Sequence, residues 1–188
     1  MATGDLTTLA NVKTWVNLSG TGDDALLSRL ITSVSNFIQS WLNRNLNSSA
    51  YAETYDGSGG TRLMLGNYPV TAVASLVIDG IAIPLSTAPT VPGYTFDQYG
   101  ILLRGGYVFN YSVYGFQNVA IAYTAGYATP PVEIEQAAIE LVSLRYAERL
   151  RPGVTSRSIG GENVAYMDKG MTDSVGSLLL QYKKVVPS

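Results

Sequence analysis

The chain has 188 residues, with 12 Lys and Arg against 14 Asp and Glu, and it contains neither His nor Cys. These absences exclude Ser/His/Asp and Cys/His catalytic triads, imidazole and thiolate zinc sites, and disulfides, while the net charge of -2 argues against a basic surface that grips DNA phosphates. Charged residues make up only 14% of the chain, well under the roughly 25% usual for soluble domains, so we expect the neutral surface of a protein that assembles with others.

Residues 1–49 are predicted to form a hairpin of two helices. Thr8 is placed to cap a short first helix. Asp23 and Asp24 then offer N-caps to a second helix with a long apolar face, which ends in the polar stretch 43–49. The apolar positions of this second helix are Leu26, Leu27, Leu30, Ile31, Val34, Phe37, Ile38, Trp41 and Leu42.

Residues 50–127 are predicted to form an inserted antiparallel β domain, because short β-branched and aromatic runs alternate there with turn sequences. Asp79-Gly80 is the strongest hairpin signal, since a type I′ turn requires positive φ at both central positions. Asp56-Gly-Ser-Gly-Gly60 is interpreted as a hairpin turn rather than a calcium or phosphate loop, because it lacks later acidic ligands. The charged side chains of this region are Glu53, Asp56, Arg62, Asp79, Asp97 and Arg104.

The remainder of the chain is predicted to return to helix. Pro130-Pro131 indicates the start of a third helix within residues 128–153, residues 154–170 are predicted to be an extended arm or loop, and residues 171–188 a short helix and tail. The predicted fold is therefore α+β: a four-helix frame in the order α-α-β insert-α-α, with a small antiparallel β domain between the second and third helices. The third helix is expected to turn Ile134, Ala137, Ala138, Leu141, Val142 and Tyr146 inward.

No motif predicts catalysis, a metal site or a cofactor. Glu162 resembles a general base on a loop, but no nucleophile or cation accompanies it in sequence, so it is interpreted as an exposed contact residue. No apolar run reaches the roughly 18 residues that a membrane span needs, and the N-terminus lacks the features of a targeting segment. We therefore expect a soluble protein made in the cytoplasm.

Two groups of residues are candidate contact surfaces. Arginines near the end of the third helix either complement the helix dipole or pair with carboxylates of a partner. An aromatic run in the β region either packs or contacts a second subunit, or else forms a stacking platform for a glycan or nucleobase. The first group is Arg145, Arg149, Arg151 and Arg157, and the second is Tyr107, Phe109, Tyr111, Tyr114 and Phe116.

Five motifs, taken together and in this order, resemble one family. They are Leu9-Ala-Asn-Val-Lys-Thr-Trp-Val16, Asp23-Asp-Ala-Leu-Leu27, Tyr123-Thr-Ala-Gly-Tyr-Ala-Thr-Pro-Pro131, Ile134-Glu-Gln-Ala-Ala138 and Ser156-Arg-Ser-Ile-Gly-Gly-Glu162. Across nearly the whole chain the sequence resembles the head-to-tail connector (adaptor) proteins of tailed bacteriophages, in the longer form that carries a central β insert.

The resemblance implies a non-enzymatic, cofactor-free structural protein of the virion neck. Such proteins form a ring, typically dodecameric, between the portal protein and the stopper or tail-completion protein. The ring extends the channel through which DNA passes without specific binding. The protein would be made in the host bacterial cytoplasm and would not engage a membrane.

The resemblance also implies that the C-terminal segment docks on the portal, although its short helix has the alternative of packing on its own core. The residues of this predicted docking element are Val175, Leu178, Leu179, Tyr182, Lys183 and Lys184. The alternative function, which rests on the aromatic run, is a glycan-binding β module on a virion surface.

Overall fold

The computed structural model describes residues 4–110, 116–149, 156–159, 162–165, 171 and 173–184, with backbone alone for residues 156–159, 162–165 and 174. The chain divides into two compact units. Residues 1–44 and 130–188 form the first, here called the helical unit, and Asn45–Thr129 form the second, the β unit.

The helical unit begins with a short capped helix. The Thr8 hydroxyl accepts a 3.1 Å hydrogen bond from the Asn11 amide, so the predicted N-cap is confirmed. Val12 is buried, whereas Trp15 is 55% exposed. The helices of this unit are α1 (Leu9–Trp15), α2 (Asp24–Leu42), α3 (Val132–Glu148) and α4 (Asp173–Leu180).

The two long helices bury the faces that the 3.6-residue period predicts. Helix α2 ends at Asn43, which adopts the left-handed conformation with φ 54° that favours residues such as Asn or Gly after a helix. The α3 prediction is confirmed at every named position, and Ile139 is buried as well. The buried apolar residues are Leu27, Ile31, Val34, Ile38 and Leu42 on α2 and Ile134, Ala137, Ala138, Ile139, Leu141, Val142 and Tyr146 on α3.

The β unit contains two antiparallel sheets, so the predicted α+β class is confirmed. One sheet has four strands in the order β1-β7-β3-β4, and the other has three in the order β2-β6-β5. Residues from both sheets contribute to one hydrophobic cluster that includes Leu76, Ile101, Phe109 and Ile121. The strands are β1 (Ser49–Tyr55), β2 (Arg62–Met64), β3 (Val70–Ile78), β4 (Ile81–Ala82), β5 (Gly93–Phe96), β6 (Gly100–Arg104) and β7 (Val119–Ala125).

One of the two predicted turns is confirmed and the other is wrong. Asp79 and Gly80 have φ values of 52° and 80° and join β3 to β4, with Ile78 opposite Ile81. The stretch 56–60 is not a hairpin turn, because it leads from β1 in the four-stranded sheet to β2 in the three-stranded sheet. The residues of this stretch are of the types that turns favour, but β1 pairs with β7 rather than with the strand that follows it.

The two ends of the β unit lie side by side. The Tyr127 amide donates to the Leu46 carbonyl at 2.8 Å, and the Ser48 amide donates to the Tyr127 carbonyl at 3.0 Å. Gly126 makes this crossing possible, since its φ is 107° and a Cβ there would lie 2.4 Å from the carbonyl oxygen of Asn47.

The segment predicted as an extended arm or loop contains a hairpin, which corrects that prediction. Strands β8 (Ser156–Ile159) and β9 (Glu162–Ala165) pair antiparallel, with Ser156 opposite Ala165 and Ile159 opposite Glu162. The sequence signal was present: Gly160-Gly161 separates two short runs by two residues, a spacing typical of tight hairpins.

Candidate functional site: the assembly surfaces

The arginines at the end of α3 have partners inside the helical unit. The Arg145 guanidinium lies 5.2 Å from the centre of the Phe37 ring. That of Arg149 lies 3.6 Å from the Tyr146 ring centre, donates to the Tyr146 carbonyl at 2.8 Å and approaches Asp23 Oδ2 at 3.9 Å. Contacts of these arginines with another subunit therefore stay a prediction. Arg151 and the side chain of Arg157 lie outside the described part of the chain.

Asp23 occupies the N-cap position of α2, but its carboxylate does not cap the helix. It accepts a hydrogen bond from the Tyr146 hydroxyl on α3 instead. This bond to a carboxylate, together with burial, raises the pKa of Tyr146 above its ordinary value, because the protonated phenol is the form that donates. Asp24, in the first turn of α2, pairs with Lys13 on α1 at 2.7 Å. The predicted capping by the Asp23 side chain is therefore wrong. Asp23 instead connects α2 to α3, and Asp24 connects α2 to α1.

The C-terminal helix α4 packs on its own unit. Val175 and Leu179 are fully buried, Leu178 is half-buried and Leu180 is 58% exposed. Beyond the helix, the Tyr182 hydroxyl donates to Glu133 at 3.2 Å. Docking of this helix on a portal stays a prediction. For Val175 and Leu179 it would require the helix to leave its present packing.

The two lysines that follow α4, Lys183 and Lys184, both contact α2. The Lys183 ammonium lies 4.6 Å from the centre of the Trp41 ring, a distance suited to a cation–π interaction. The Lys184 amide donates to the Leu42 carbonyl at 3.0 Å, which occupies one of the carbonyls left free at a helix end. Residues 183–184 are thus held to the helical unit through both backbone and side-chain contacts.

The aromatic run does not form a platform among the described residues. Phe109 is fully buried in the cluster of the β unit, and Tyr107 is half-buried against the same cluster. Two backbone hydrogen bonds hold this segment to the 56–60 loop: the Phe109 amide donates to Gly60 at 2.8 Å, and the Gly59 amide donates to Phe109 at 2.6 Å. Phe109 is therefore a core residue, and its prediction as a subunit contact is wrong.

The remaining predicted contact residues are placed only in part. Phe116 is 77% exposed. Tyr111 and Tyr114 lie outside the described residues, and Glu162 is placed on strand β9 without a described side chain. Their roles stay predictions.

Sequence reasoning missed a polar network under the four-stranded sheet. Glu53 accepts hydrogen bonds from the hydroxyls of Tyr55 at 2.5 Å and Tyr123 at 2.6 Å, and from the Asn67 amide at 3.0 Å. Burial and then these bonds raise the pKa values of both tyrosines. The ring of Tyr51 stacks on that of Tyr123 with centroids 5.5 Å apart. Residues 51, 53 and 55 are spaced two apart, so they lie on one face of a strand. This spacing was a usable signal that Glu53 faces inward together with Tyr51 and Tyr55.

The opposite, outer face of this sheet carries small uncharged side chains. Glu53 is the charged residue of strands β1, β3 and β7, and it lies on the inner face. Across the outer face, Ala52 on β1 stands opposite Ala122 on β7, which stands opposite Ser75 on β3. The outer residues are Ala50, Ala52 and Thr54 on β1, Ala120, Ala122 and Thr124 on β7, and Ala72, Ser75 and Val77 on β3.

Within the described residues, no group of His, Cys, Asp and Glu side chains is arranged to hold a metal ion. In that same part of the chain, no helix has both the length and the apolar character of a membrane span.

Comparison with known proteins gives one family and several structures. The family model described as head completion protein (HCP) matches residues 5–185. No curated protein matches the chain.

Three solved structures are similar over almost the entire chain. A chain from the neck of an empty GTA particle computed with C6 symmetry has 17% identity and a TM-score of 0.56, with 97% of this chain and 92% of that chain covered. A chain from the virion of a native gene transfer agent (GTA) particle has 20% identity, a TM-score of 0.57 and the same coverage. One from the neck of the native GTA particle computed with C12 symmetry has 17% identity and a TM-score of 0.57, covering 97% of this chain and 91% of that one. At these identities the likeness shows a shared fold.

Proposed function

Since this chain belongs to the head completion protein family, we propose that it is a structural protein of the virion neck of a tailed bacteriophage. In this proposal, copies of the chain form a ring, typically of twelve, between the portal protein and the stopper or tail-completion protein. The ring extends the DNA channel and carries out no reaction.

The family match carries the proposal, because the matched residues span both the helical unit and the β unit. The shared fold supports it further: similarly folded chains occur in particle necks whose structures were computed with sixfold and twelvefold symmetry. A chain with a different role would not be expected to match a head completion family over its α-helical and β-sheet parts alike.

The charge distribution is compatible with a DNA channel. The chain has a net charge of -2, and its β region holds the six charged side chains named above. Each phosphate that a protein neutralises adds binding free energy through counterion release. A ring that must let DNA slide through would be hindered by a dense cationic lining, which a chain of this composition does not supply.

The proposal includes two contacts of this chain with its partners in the assembly. The arginines Arg145, Arg149, Arg151 and Arg157 are the candidates for pairing with carboxylates of a neighbouring subunit or of the portal. Arg149 is accessible for such a contact, since its side chain is one-third exposed. The predicted docking element, which comprises Val175, Leu178, Leu179, Tyr182, Lys183 and Lys184, is the candidate for the portal contact, and the exposure of Lys183 supports it.

Sedimentation of the protein with the portal protein of the same phage tests the proposal. We expect a complex containing several copies of this chain per portal ring, and no hydrolase or transferase activity. A protein that stays monomeric at all concentrations and does not sediment with the portal would contradict it. The glycan-binding alternative is not carried forward, because Phe109, one of the five residues of the aromatic run on which it rests, is buried.

A further inference from the structure

The outer edge of β1 is open. Strand β1 lies at the edge of the four-stranded sheet and pairs with β7 along all seven of its residues. In the described part of the chain, no backbone hydrogen bond is made to residues 50–55 from the other side. An unpaired strand edge presents a row of N–H and C=O groups that can template another strand.

This edge lacks most of the features that normally prevent strands from pairing with it. Proteins blunt exposed edges with Lys, Pro, bulges, very short strands or inward-pointing charges, and of these β1 carries only the inward-pointing Glu53. Strand β1 contains neither Lys nor Pro. Its register with β7 runs without a break from Ser49 opposite Ala125 to Tyr55 opposite Val119. Its outward side chains, Ala50, Ala52 and Thr54, are small and uncharged, so on the outer face an added strand would meet neither a charge nor a bulky group. On the inner face the carboxylate of Glu53 already accepts hydrogen bonds from Tyr55, Tyr123 and Asn67.

The chain also contains a pair of strands that lacks a larger sheet. Strands β8 and β9 form a two-stranded sheet of their own, and no other described strand pairs with them. A two-stranded hairpin alone is marginally stable in water and gains from packing or from further strands. Each of its strands has four residues, about 13 Å at 3.3 Å per residue, which fits within the roughly 23 Å of β1.

From these two features we propose that the edge of β1 in one copy of the chain receives the β8–β9 hairpin of a second copy. The pairing rests on the proposed function, since it supplies a contact between ring subunits. It joins two different surfaces of the same chain, and such a head-to-tail contact generates a closed ring when the rotation closes. Pairing of β1 with β1 would instead be isologous and would give dimers.

The absence of Cys from the chain makes a direct test possible. One preparation carries Ala52→Cys alone, and a second carries one cysteine in the hairpin: Arg157→Cys, Ser158→Cys, Asn163→Cys or Val164→Cys, tested separately. Neighbouring residues of a strand face opposite sides, so this set covers both strands and both faces of the hairpin. The two preparations are mixed, assembled and oxidised, so that any mixed disulfide must join two copies. Thr87→Cys, an exposed position in the β unit, is the matched control.

We expect a mixed disulfide dimer between Ala52→Cys and at least one hairpin variant, and none with Thr87→Cys. In a second version of the β1 partner, the cysteine is Thr54→Cys. Adding the charge Ala52→Lys to this partner should abolish its mixed disulfide with the hairpin variant. Adding Ala82→Lys, on the far edge of the same sheet, should leave that disulfide unchanged. Electron microscopy of the same mixtures reports ring formation separately. Rings without a mixed disulfide, or disulfides only between two Ala52→Cys chains, would overturn the pairing and leave the proposed function standing. Mixed disulfides without rings would support the pairing and contradict the ring.

Discussion

The Tyr123 hydroxyl donates a 2.6 Å hydrogen bond to Oε2 of Glu53, which lies 70 positions earlier in the chain. The Tyr55 hydroxyl donates to the same oxygen. The bond therefore joins the two strands of the β1–β7 ladder through their side chains as well as their backbones. A carboxylate placed beside a hydrophobic cluster is tolerated there because its oxygens accept several hydrogen bonds.

Glu53→Gln should lower the free energy of unfolding of the β unit. The amide that replaces one carboxylate oxygen is a donor and faces hydroxyl and amide groups that already donate. Since hydrogen bonds to charged groups contribute about 1.5–3 kcal/mol each, we expect a loss of about 1–3 kcal/mol in urea unfolding. Thr54→Ser, on the exposed face of the same strand, should change it by less than about 0.5 kcal/mol. Equal stabilities of the two variants would contradict the role assigned to Glu53.

Stability should fall steeply at alkaline pH. Burial and the bonds to Glu53 raise the pKa values of Tyr123 and Tyr55 above their ordinary value. Above about pH 10 the unfolded chain releases phenolic protons that the folded chain keeps, so the stabilisation present below pH 10 is lost as the pH rises. Each such tyrosine adds a slope of about 1.4 kcal/mol per pH unit. Tyr123→Phe should reduce the slope by about one such increment, and an unchanged slope would contradict the assignment.

Leu179→Ala should destabilise the helical unit strongly. Leu179 is fully buried, whereas its neighbour Leu180 is 58% exposed. Removing a buried Leu costs about 2–5 kcal/mol, and we expect Leu180→Ala to cost less than about 0.5 kcal/mol. Thermal unfolding of the two variants measures the difference. Similar melting temperatures would indicate that α4 does not pack on its own unit in solution, and would favour a helix free to dock on the portal.

Reversing charge at Arg149 should weaken assembly. Arg149→Glu places a second carboxylate beside Asp23, and it removes the guanidinium from the Tyr146 ring. Because exposed ion pairs contribute at most about 1 kcal/mol, the monomer should stay folded by circular dichroism while fewer rings form with the portal. Arg29→Glu, on the exposed side of α2, is the matched control. Normal assembly by Arg149→Glu would leave the arginine as a helix-end charge.

Local patterns predicted much of the fold. The inward face of α3 and the Asp79-Gly80 turn depend on residues within a few positions of one another, so periodicity and turn chemistry were sufficient. The pairing of β1 with β7, and with it the bond of Glu53 to Tyr123, depends on residues about 70 positions apart, for which a single sequence holds no direct signal.

The candidate contact residues were harder to predict, for the same reason. The aromatic run was compatible with packing, with subunit contact or with a stacking platform, and Phe109, whose backbone bonds to Gly59 and Gly60, lies in the core. Asp23 was correctly placed at the start of α2, yet its carboxylate is used by Tyr146, 123 positions later. Both outcomes depend on long-range partners that compete with local preference.

Electron microscopy of the protein mixed with the portal protein of its own phage tests the central claim most directly. The account predicts a second ring, coaxial with the portal and with the same rotational symmetry about an open channel, formed only when this chain is present. Portal rings that look the same with and without the chain, at concentrations well above those of the portal, would contradict it.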